Sequence, residues 1–467
     1  MSVTSNWEGR ISRRSFLRGA AAMAAVGGGL TALGAREAEG KPTERVQGYG
    51  PLVPMGALAL PRGFSYKEIS RQGVVMTDGN PTPGIFDGMG AFPGPDGDTI
   101  LIRNHENRRR DGEATVVVPP EDRYDQDPTY NAGDTRLVVD ENLNVVESFA
   151  ILGGTDTNCA GGVVGDTWYT CEEVVNRGAT GLKHGYNFVI PAYASDPVKA
   201  VPQPQQGRMA HEAVAELGGI LYETEDRSLS PDALNGVIGA AFYRFVPDSP
   251  GDFEGSGTLE ALKLRDEFRA NMDIGRVVGQ PYPVEWVTID DPDHEDDTDN
   301  RLDRVPGFTP TRIQTQDKGA AIFDREEGIW VGGGKVYFDC TEGGEADLGQ
   351  VFEFDPGSQT ITLIYESNNM ATLENPDNIV IVPKTGDIFL QEDGNGEQFV
   401  RGLTPEGSIY DFAQTITNDT EFCGGCFSPD GTVFFLNQQG DRGSLPNGPA
   451  GGNAVTYAIT GPFPRRR

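Results

Sequence analysis

Histidine is scarce in this chain: 467 residues include only four, His105, His184, His211 and His294. That supply argues against a histidine-rich zinc hydrolase. Cysteine is nearly as rare, and five residues cannot staple a disulfide scaffold, while their odd number leaves at least one thiol unpaired. Positive charge is also short, with 38 Lys and Arg against 70 Asp and Glu and a formal net charge of −32. Such a surface repels nucleic acid and anionic membranes. It would repel an anionic substrate too, unless local cations compensate, and bound metal ions are the natural compensation. Adaptation to high salt is a second, compatible origin of the bulk acidity.

Long apolar runs are missing. The most apolar stretch, Gly19 to Leu33, is rich in Ala and Gly and falls short of the ~20 residues needed to span a bilayer. It follows Ser12-Arg13-Arg14-Ser15-Phe16-Leu17-Arg18, and Ala35 and Ala38 offer cleavage positions after it. This is the form of a twin-arginine export signal over residues 1–38. The chain is therefore expected to use the twin-arginine machinery and to be periplasmic or secreted. Losing five Arg and two Glu with the leader moves the net charge from −32 to −35. Twin-arginine substrates usually cross folded, a route suited to a cofactor inserted in the cytoplasm.

Linkers and sustained helical patterns are also absent after residue 50, although the length alone would allow two or three domains. Short β segments recur instead, such as Thr99 to Ile102, Leu137 to Val139, Thr167 to Thr170, Ile220 to Glu223, Lys335 to Phe338, Ile388 to Gln391 and Val433 to Leu436. Three of the turns share a form, Pro383-Lys384-Thr385-Gly386, Pro405-Glu406-Gly407 and Pro429-Asp430-Gly431, each leading into an apolar strand. Repetition of this kind indicates propeller blades. The expectation is an all-β fold in which residues 39–467 form one β-propeller, six-bladed, with few short helices. Ser230 to Asn235 and Thr258 to Asn271 are the helix candidates, the latter from Leu259, Leu262, Leu264 and Phe268. Asp290 to Asp299 carries seven acids in ten positions without the glycine or spacing of an EF-hand, and reads as a solvated insertion.

The most informative stretch is Asn158-Cys159-Ala160-Gly161-Gly162, followed by Thr170-Cys171-Glu172-Glu173. A soft thiol beside hard carboxylates suggests a mixed metal site, since thiolate suits iron or zinc and carboxylate suits calcium, magnesium or ferric iron. On spacing alone, a buried Cys159 beside a solvated Glu pair is the plainer account. The Cys423-Gly424-Gly425-Cys426 pair could be a redox pair, half a zinc site or a local disulfide. No second Cys-x-x-Cys and no thioredoxin-like pattern accompanies it, so a structural role or a disulfide is expected.

Four further blocks set acids beside orienting groups: Arg208-Met209-Ala210-His211-Glu212, Asp324-Arg325-Glu326-Glu327, Asn375-Pro376-Asp377-Asn378 and Gln391-Glu392-Asp393-Gly394. Together with Asn104-His105-Glu106, the Cys159 block, Val336-Tyr337-Phe338 and Phe427-Ser428-Pro429-Asp430-Gly431, they form an ordered set. In that order the chain resembles the PhoX family of bacterial alkaline phosphatases over nearly its whole length. The resemblance implies an iron- and calcium-dependent phosphomonoesterase with neither zinc nor a serine nucleophile. It implies Cys159 as a ferric iron ligand, Glu173, Glu212, Glu327 and Asp377 as carboxylates to iron or calcium, and Arg325 as the phosphate-binding, catalytic guanidinium. The implied partner is a small phosphoester, with no nucleic acid, and a monomer is expected. This chain departs from better-known members at Val163-Val164-Gly165-Asp166, where they carry a longer aromatic and proline-containing loop. The alternatives are a calcium-dependent propeller hydrolase of lactonase or phytase type, which needs no thiol, and a non-catalytic calcium-binding propeller, which needs no phosphate fork.

Overall fold

The computed structural model describes residues 48–109, 114–232, 236–299, 301, 304–440 and 453–463. The twin-arginine segment lies outside these residues. Six strands, Phe86–Pro93, Asn158–Val164, His211–Leu217, Glu326–Gly332, Pro376–Ile381 and Phe422–Phe427, pack side by side in that order, and the last closes against the first. Each is the inner edge of an antiparallel sheet, so the chain winds outward from the axis blade by blade. The first blade runs outward through Thr99–His105, Ala132–Val139 and Val145–Thr155. The outermost strand of the sixth blade, Ser65–Arg71, comes from the other end of the chain and pairs with Val455–Thr460. A propeller closed in this way ties the two ends of the chain into one blade.

Hydrogen bonding divides these blades into four blade-sized sheets and one nine-stranded sheet. The nine-stranded sheet arises where the outer edges of the third and fourth blades meet, Pro281–Pro283 against Thr360–Thr362. It carries two of the inner strands, His211–Leu217 and Glu326–Gly332. Phe242, Phe338, Phe352, Phe354 and Leu262 fill the space between these two blades, and Phe389, Phe412, Phe434 and Leu436 do the same between the fifth and sixth. The core is thus a set of apolar layers between radial sheets.

Close approach at the axis explains several glycines. A Cβ on Gly88 would lie 2.6 Å from Ala160 Cα of the next inner strand, and one on Gly328 would lie 2.6 Å from the Ile379 nitrogen. At Gly424 it would lie 2.2 Å from the Asp87 carbonyl oxygen, which closes the ring between the sixth and first blades. Only a residue without a side chain lets backbone approach so near.

The helix expectations are corrected. Gly257–Leu264 is a strand, as is Ser230–Asp232, which pairs with Gly236–Ile238; residues 233–235 lie outside the described residues. Leu259 and Ala261 face one apolar layer while Leu262 and Leu264 face another. A strand buried on both faces loses its period-two signal and imitates a helix face. The one α-helix among the described residues is Thr311–Asp317, which periodicity did not single out.

The 290–299 segment is not simply solvated. Asp296 and Asp299 are buried, and Arg208 donates to the carbonyls of His294 and Asp296 and, at 2.8 Å, to Asp297 Oδ1. Buried arginines draw the acidic loop onto the body of the protein. The disulfide option is also overturned, because all five cysteines are free and buried. No described helix is long and apolar enough to cross a membrane.

Candidate metal centre

The second residue of every inner strand belongs to one ring of side chains: Asp87, Cys159, Glu212, Glu327, Asp377 and Cys423. The ladder to the neighbouring strand is interrupted directly at or beside that position in all six blades, between Phe86 and Met89, Asn158 and Gly161, His211 and Val214, Glu326 and Ile329, Pro376 and Asn378, and Cys423 and Cys426. A bulge re-aims the side chain it carries and is common beside functional sites. In four blades the residue entering the strand is left-handed, Ile85 at φ 49°, Thr157 at 51°, Arg325 at 51° and Asn375 at 47°. Such backbone is costly for a β-branched residue, and the ring's packing holds it in place.

The residues just after the second strands form an adjoining tier. Glu106, Glu173 and Asp226 follow Thr99–His105, Thr167–Glu172 and Ile220–Glu225, while Asp393 and Gln439 follow Ile388–Glu392 and Val433–Gln438. Four groups have ligand atoms within 4.8 Å of one another: Cys159, Glu173 and Glu212, and Asp87, Glu106 and Cys159, which join the two tiers; Glu212, Glu327 and Asp377, all from the ring; and Asp87 and Cys423 of the ring with Glu421, which enters the sixth inner strand. Glu212 joins the first group to the third, so Cys159, Glu173, Glu212, Glu327 and Asp377 form one continuous cluster drawn from distant parts of the chain.

The electrostatics are those of anions awaiting cations. Both carboxylate oxygens of Glu212 are buried without a hydrogen-bond donor, as is Asp87 Oδ1. Burial and then Asp377 push the Asp87 carboxyl up to about 8, and burial and then Asp393 raise Asp377 to about 7. Burial, followed by neighbouring carboxylates, also pushes up Cys159, Glu173, Glu212 and Glu327. Packing acids together in a dry site favours their neutral forms unless cations are present. A donor set of carboxylates with one thiol fits iron through the sulfur and calcium or iron through the oxygens.

Arg325 stands at the rim, its side chain 27% exposed. Its Nε and Nη2 donate to Asp226 at 2.8 and 2.9 Å, and Nη2 also donates to Glu327 Oε1 at 2.8 Å. The fork is therefore already clamped, leaving Nη1, which faces Glu342 Oε1 at 3.7 Å, as its outward edge. Burial opposes ionisation of Asp226, yet Arg325 outweighs it and holds that carboxyl below its ordinary range. A second guanidinium, Arg108, pairs with Glu106 and acts on Asp87 and Glu173.

Sequence reasoning missed Asp87, Asp226, Glu421 and Cys423, and gave Glu106 no role. One signal was available for two of them, Asp87 and Cys423: Asp87-Gly88, Cys159-Ala160, Glu212-Ala213, Glu327-Gly328 and Cys423-Gly424 all place a small residue after the ring residue. The scarce histidines stay out of these groups. His184, for example, lies between Glu172 at 2.7 Å and Asp125 at 3.5 Å and stacks on Tyr130.

Fold and site together define the class, a metal-dependent propeller enzyme with its centre at one end of the inner ring. The family model of alkaline phosphatase PhoX matches residues 47–151 and 142–441. The chain belongs to the PhoX family of alkaline phosphatases and is a phosphomonoesterase. Pseudomonas fluorescens PhoX in complex with vanadate, a transition state analogue, is similar in fold, with a TM-score of 0.63 at 17% identity over 88% of this chain and 97% of that one. Penicillium chrysogenum α-L-arabinanase complexed with arabinobiose reaches a TM-score of 0.38 at 12% identity, over 87% of this chain and 100% of that one, too low to carry an argument. No curated protein matches this chain significantly.

Proposed function

We propose that this chain is an exported alkaline phosphatase that works with iron and calcium, held by Cys159, Glu173, Glu212, Glu327 and Asp377. The observation that carries the reading is the convergence of these five side chains around a Glu212 whose two oxygens meet no donor. Cys159 lies inside the acidic cluster, which favours iron chemistry over a calcium-only hydrolase. Bound there, the metal ions supply Lewis acidity toward phosphoryl oxygens and offset the negative charge of the site. The vanadate complex of the Pseudomonas fluorescens relative supports the phosphoryl-transfer chemistry.

The chain's own residues divide the remaining work. Arg325 binds phosphate oxygens through its outward edge, and Asp226 fixes the guanidinium plane by a two-point contact. Glu327 ties the same guanidinium to the ligand cluster at 2.8 Å, so substrate and ligands are positioned by one rigid unit. Arg108 adds positive potential on the side of Asp87 and Glu173 and draws the anionic ester toward an otherwise acidic surface. Arg13 and Arg14 direct the chain to the twin-arginine machinery and thence to the periplasm or the medium.

Turnover of p-nitrophenyl phosphate at alkaline pH, with elemental analysis of protein purified without chelator, tests the reading. Cys159→Ala should lose iron and activity together while the propeller still folds. Full iron and full activity in that variant would show Cys159 to be a core thiol and overturn the mechanism.

A further inference from the structure

One residue of each second strand lies at or opposite the bulge of its own blade: Asn104, Cys171, Thr224, Asp339, Gln391 and Asn437. All six are fully buried, although all but Cys171 carry a polar side chain. Four of them reach the inner strand of the following blade. Asn104 Nδ2 donates to the Cys159 and Ala160 carbonyls at 2.9 and 2.7 Å, and Thr224 Oγ1 donates to the Glu327 carbonyl at 2.6 Å. Asn437 Nδ2 donates to the Asp87 carbonyl at 2.6 Å across the junction that closes the ring, and Gln391 Oε1 accepts from the Gly425 amide at 2.7 Å.

In three junctions the carbonyl reached is that of the ring residue itself. A bulge interrupts the ladder, so its peptide groups lose their strand partners, and buried peptide groups need replacements. The side chains are fully committed to that work. Asn104 gives one amide hydrogen to each carbonyl while its Oδ1 accepts from Trp168 Nε1 at 2.8 Å, and Asn437 Oδ1 accepts from Thr456 Oγ1 at 2.6 Å. Thr224 Oγ1 accepts from the amide of Ala213, the residue after Glu212, at 3.1 Å while donating to Glu327, so one hydroxyl touches the backbone of two ligand strands. Packing does not demand a polar group at this place. Cys171 fills it between the second and third blades, in an apolar layer with Met209 and Val214.

We propose that Thr224, Asn104 and Asn437 are positioning residues of the phosphatase centre: each holds, from the neighbouring blade, the carbonyl of Glu327, Cys159 or Asp87, and so fixes the direction in which that side chain leaves its strand before any ion arrives. The inference rests on the ligand set given under the proposed function. A carbonyl released from its donor turns to find another, and the accompanying change in backbone dihedrals swings the attached side chain off the axis. Each clamp also makes the placing of one blade's ligand depend on the blade before it. Thr224 carries the argument furthest, because Glu212 and Glu327 belong to one ligand group and its hydroxyl sets the spacing of the strands that bear them.

The test is metal retention by the mature protein, purified without chelator, then titrated with chelator and followed by elemental analysis. Thr224→Val removes the hydroxyl at nearly constant shape and should weaken retention by about 10–100-fold, whereas Thr224→Ser, which restores the hydroxyl, should stay within about twofold of wild type. Asn104→Ser should weaken retention of iron in the same way, and it carries the test if Thr224→Val does not fold. Circular dichroism and thermal melts of the stripped proteins report folding separately. A folded Thr224→Val with wild-type retention, its one defect a lower melting temperature, would reduce the hydroxyl to a partner for the backbone and overturn the proposal; so would equal losses in the Val and Ser variants. Glu327→Gln, measured in parallel, separates the two readings. Metal loss in Glu327→Gln with none in Thr224→Val sinks the positioning role alone, while full retention in both sinks the ligand set and the positioning role with it.

Discussion

Neighbouring acids at the ends of the second strands meet opposite fates. Glu172 accepts from His184 at 2.7 Å and from the Gly185 amide at 2.8 Å, whereas Glu173, one residue on, joins Cys159 and Glu212. Glu225 is bound by the buried Arg312 and accepts from Tyr243 at 2.7 Å, whereas Asp226 turns to the rim and clamps Arg325. Glu392 accepts from Arg401 at 2.8 Å, and the next residue, Asp393, acts on Asp377. Strand alternation sends one acid between blades, where a fixed protein cation or imidazole meets it, and the next toward the axis. Burial alone therefore does not mark a functional carboxylate. What marks the axial set is a shortage of built-in positive partners, which leaves the work to ions from outside.

Removing an axial acid should separate the two sets most sharply. Glu212→Ala is expected to lower phosphatase kcat by about 10³-fold or more, as loss of a group holding the charge-stabilising ions would, with little loss of stability in the metal-free protein. A steady-state assay paired with chelated thermal melts checks both halves. Arg312→Ala should do the reverse. It strands Glu225 and Asp299 without their shared cation and should cost about 3–5 kcal/mol of unfolding free energy, read by denaturant titration, while metal content in the surviving folded protein stays at the wild-type level. Metal loss equal to that of Glu212→Ala would mean the two sets are not independent.

Arg325→Ala should leave metals in place and reduce kcat/KM by about 10²-fold, and the elemental count distinguishes this from loss of a ligand. A weaker effect is expected from pH on the metal-free protein. Burial and neighbouring carboxylates push Asp87 up to about 8 and Asp377 up to about 7, above the ordinary carboxylate value of 3.8, so the native state binds more protons than the unfolded one between these limits. Stability of the chelated protein should then fall as pH rises from about 4 through 8. Metal-loaded protein should lack this decline, and identical melting profiles with and without metal would count against the axial set as a cation site. The smallest effect belongs to the surface: breaking the Lys263–Glu285 pair, 2.6 Å apart, with Lys263→Met should change stability by no more than about 0.5 kcal/mol.

Strands such as Thr99–His105 and Val433–Gln438 were legible because turns punctuate them and their apolar runs are short. Gly257–Leu264 was not, because burial on both faces erased the alternation that identifies a strand. Cys159, Glu173, Glu212, Arg325, Glu327 and Asp377 were legible through the ordered motif set, and all but Arg325 fall within the ligand groups. Asp87 and Glu421 carry no distinctive local pattern, since an acid before glycine or at a strand end is common in turns. For Cys423 the Cys-x-x-Cys spacing left a structural role or a disulfide open; the structure removes the disulfide, and the bulge on the inner strand leaves the sulfur within 4.8 Å of ligand oxygens of Asp87 and Glu421, which spacing could not show.

The sequence by itself determined the family, the β-rich and blade-like character of the chain, its charge and the ordered acidic motifs, because these are carried by local residue types and their succession. Only the tertiary structure decided which acids lie unpaired. Pairing depends on whether the chain brings a cation such as Arg312 or Arg401 to within ion-pair distance, and those contacts join residues far apart in sequence or on separate strands. The sixfold recurrence of a bulge at the second residue of each inner strand was likewise invisible until the ring closed, because a bulge is defined by the register of two strands.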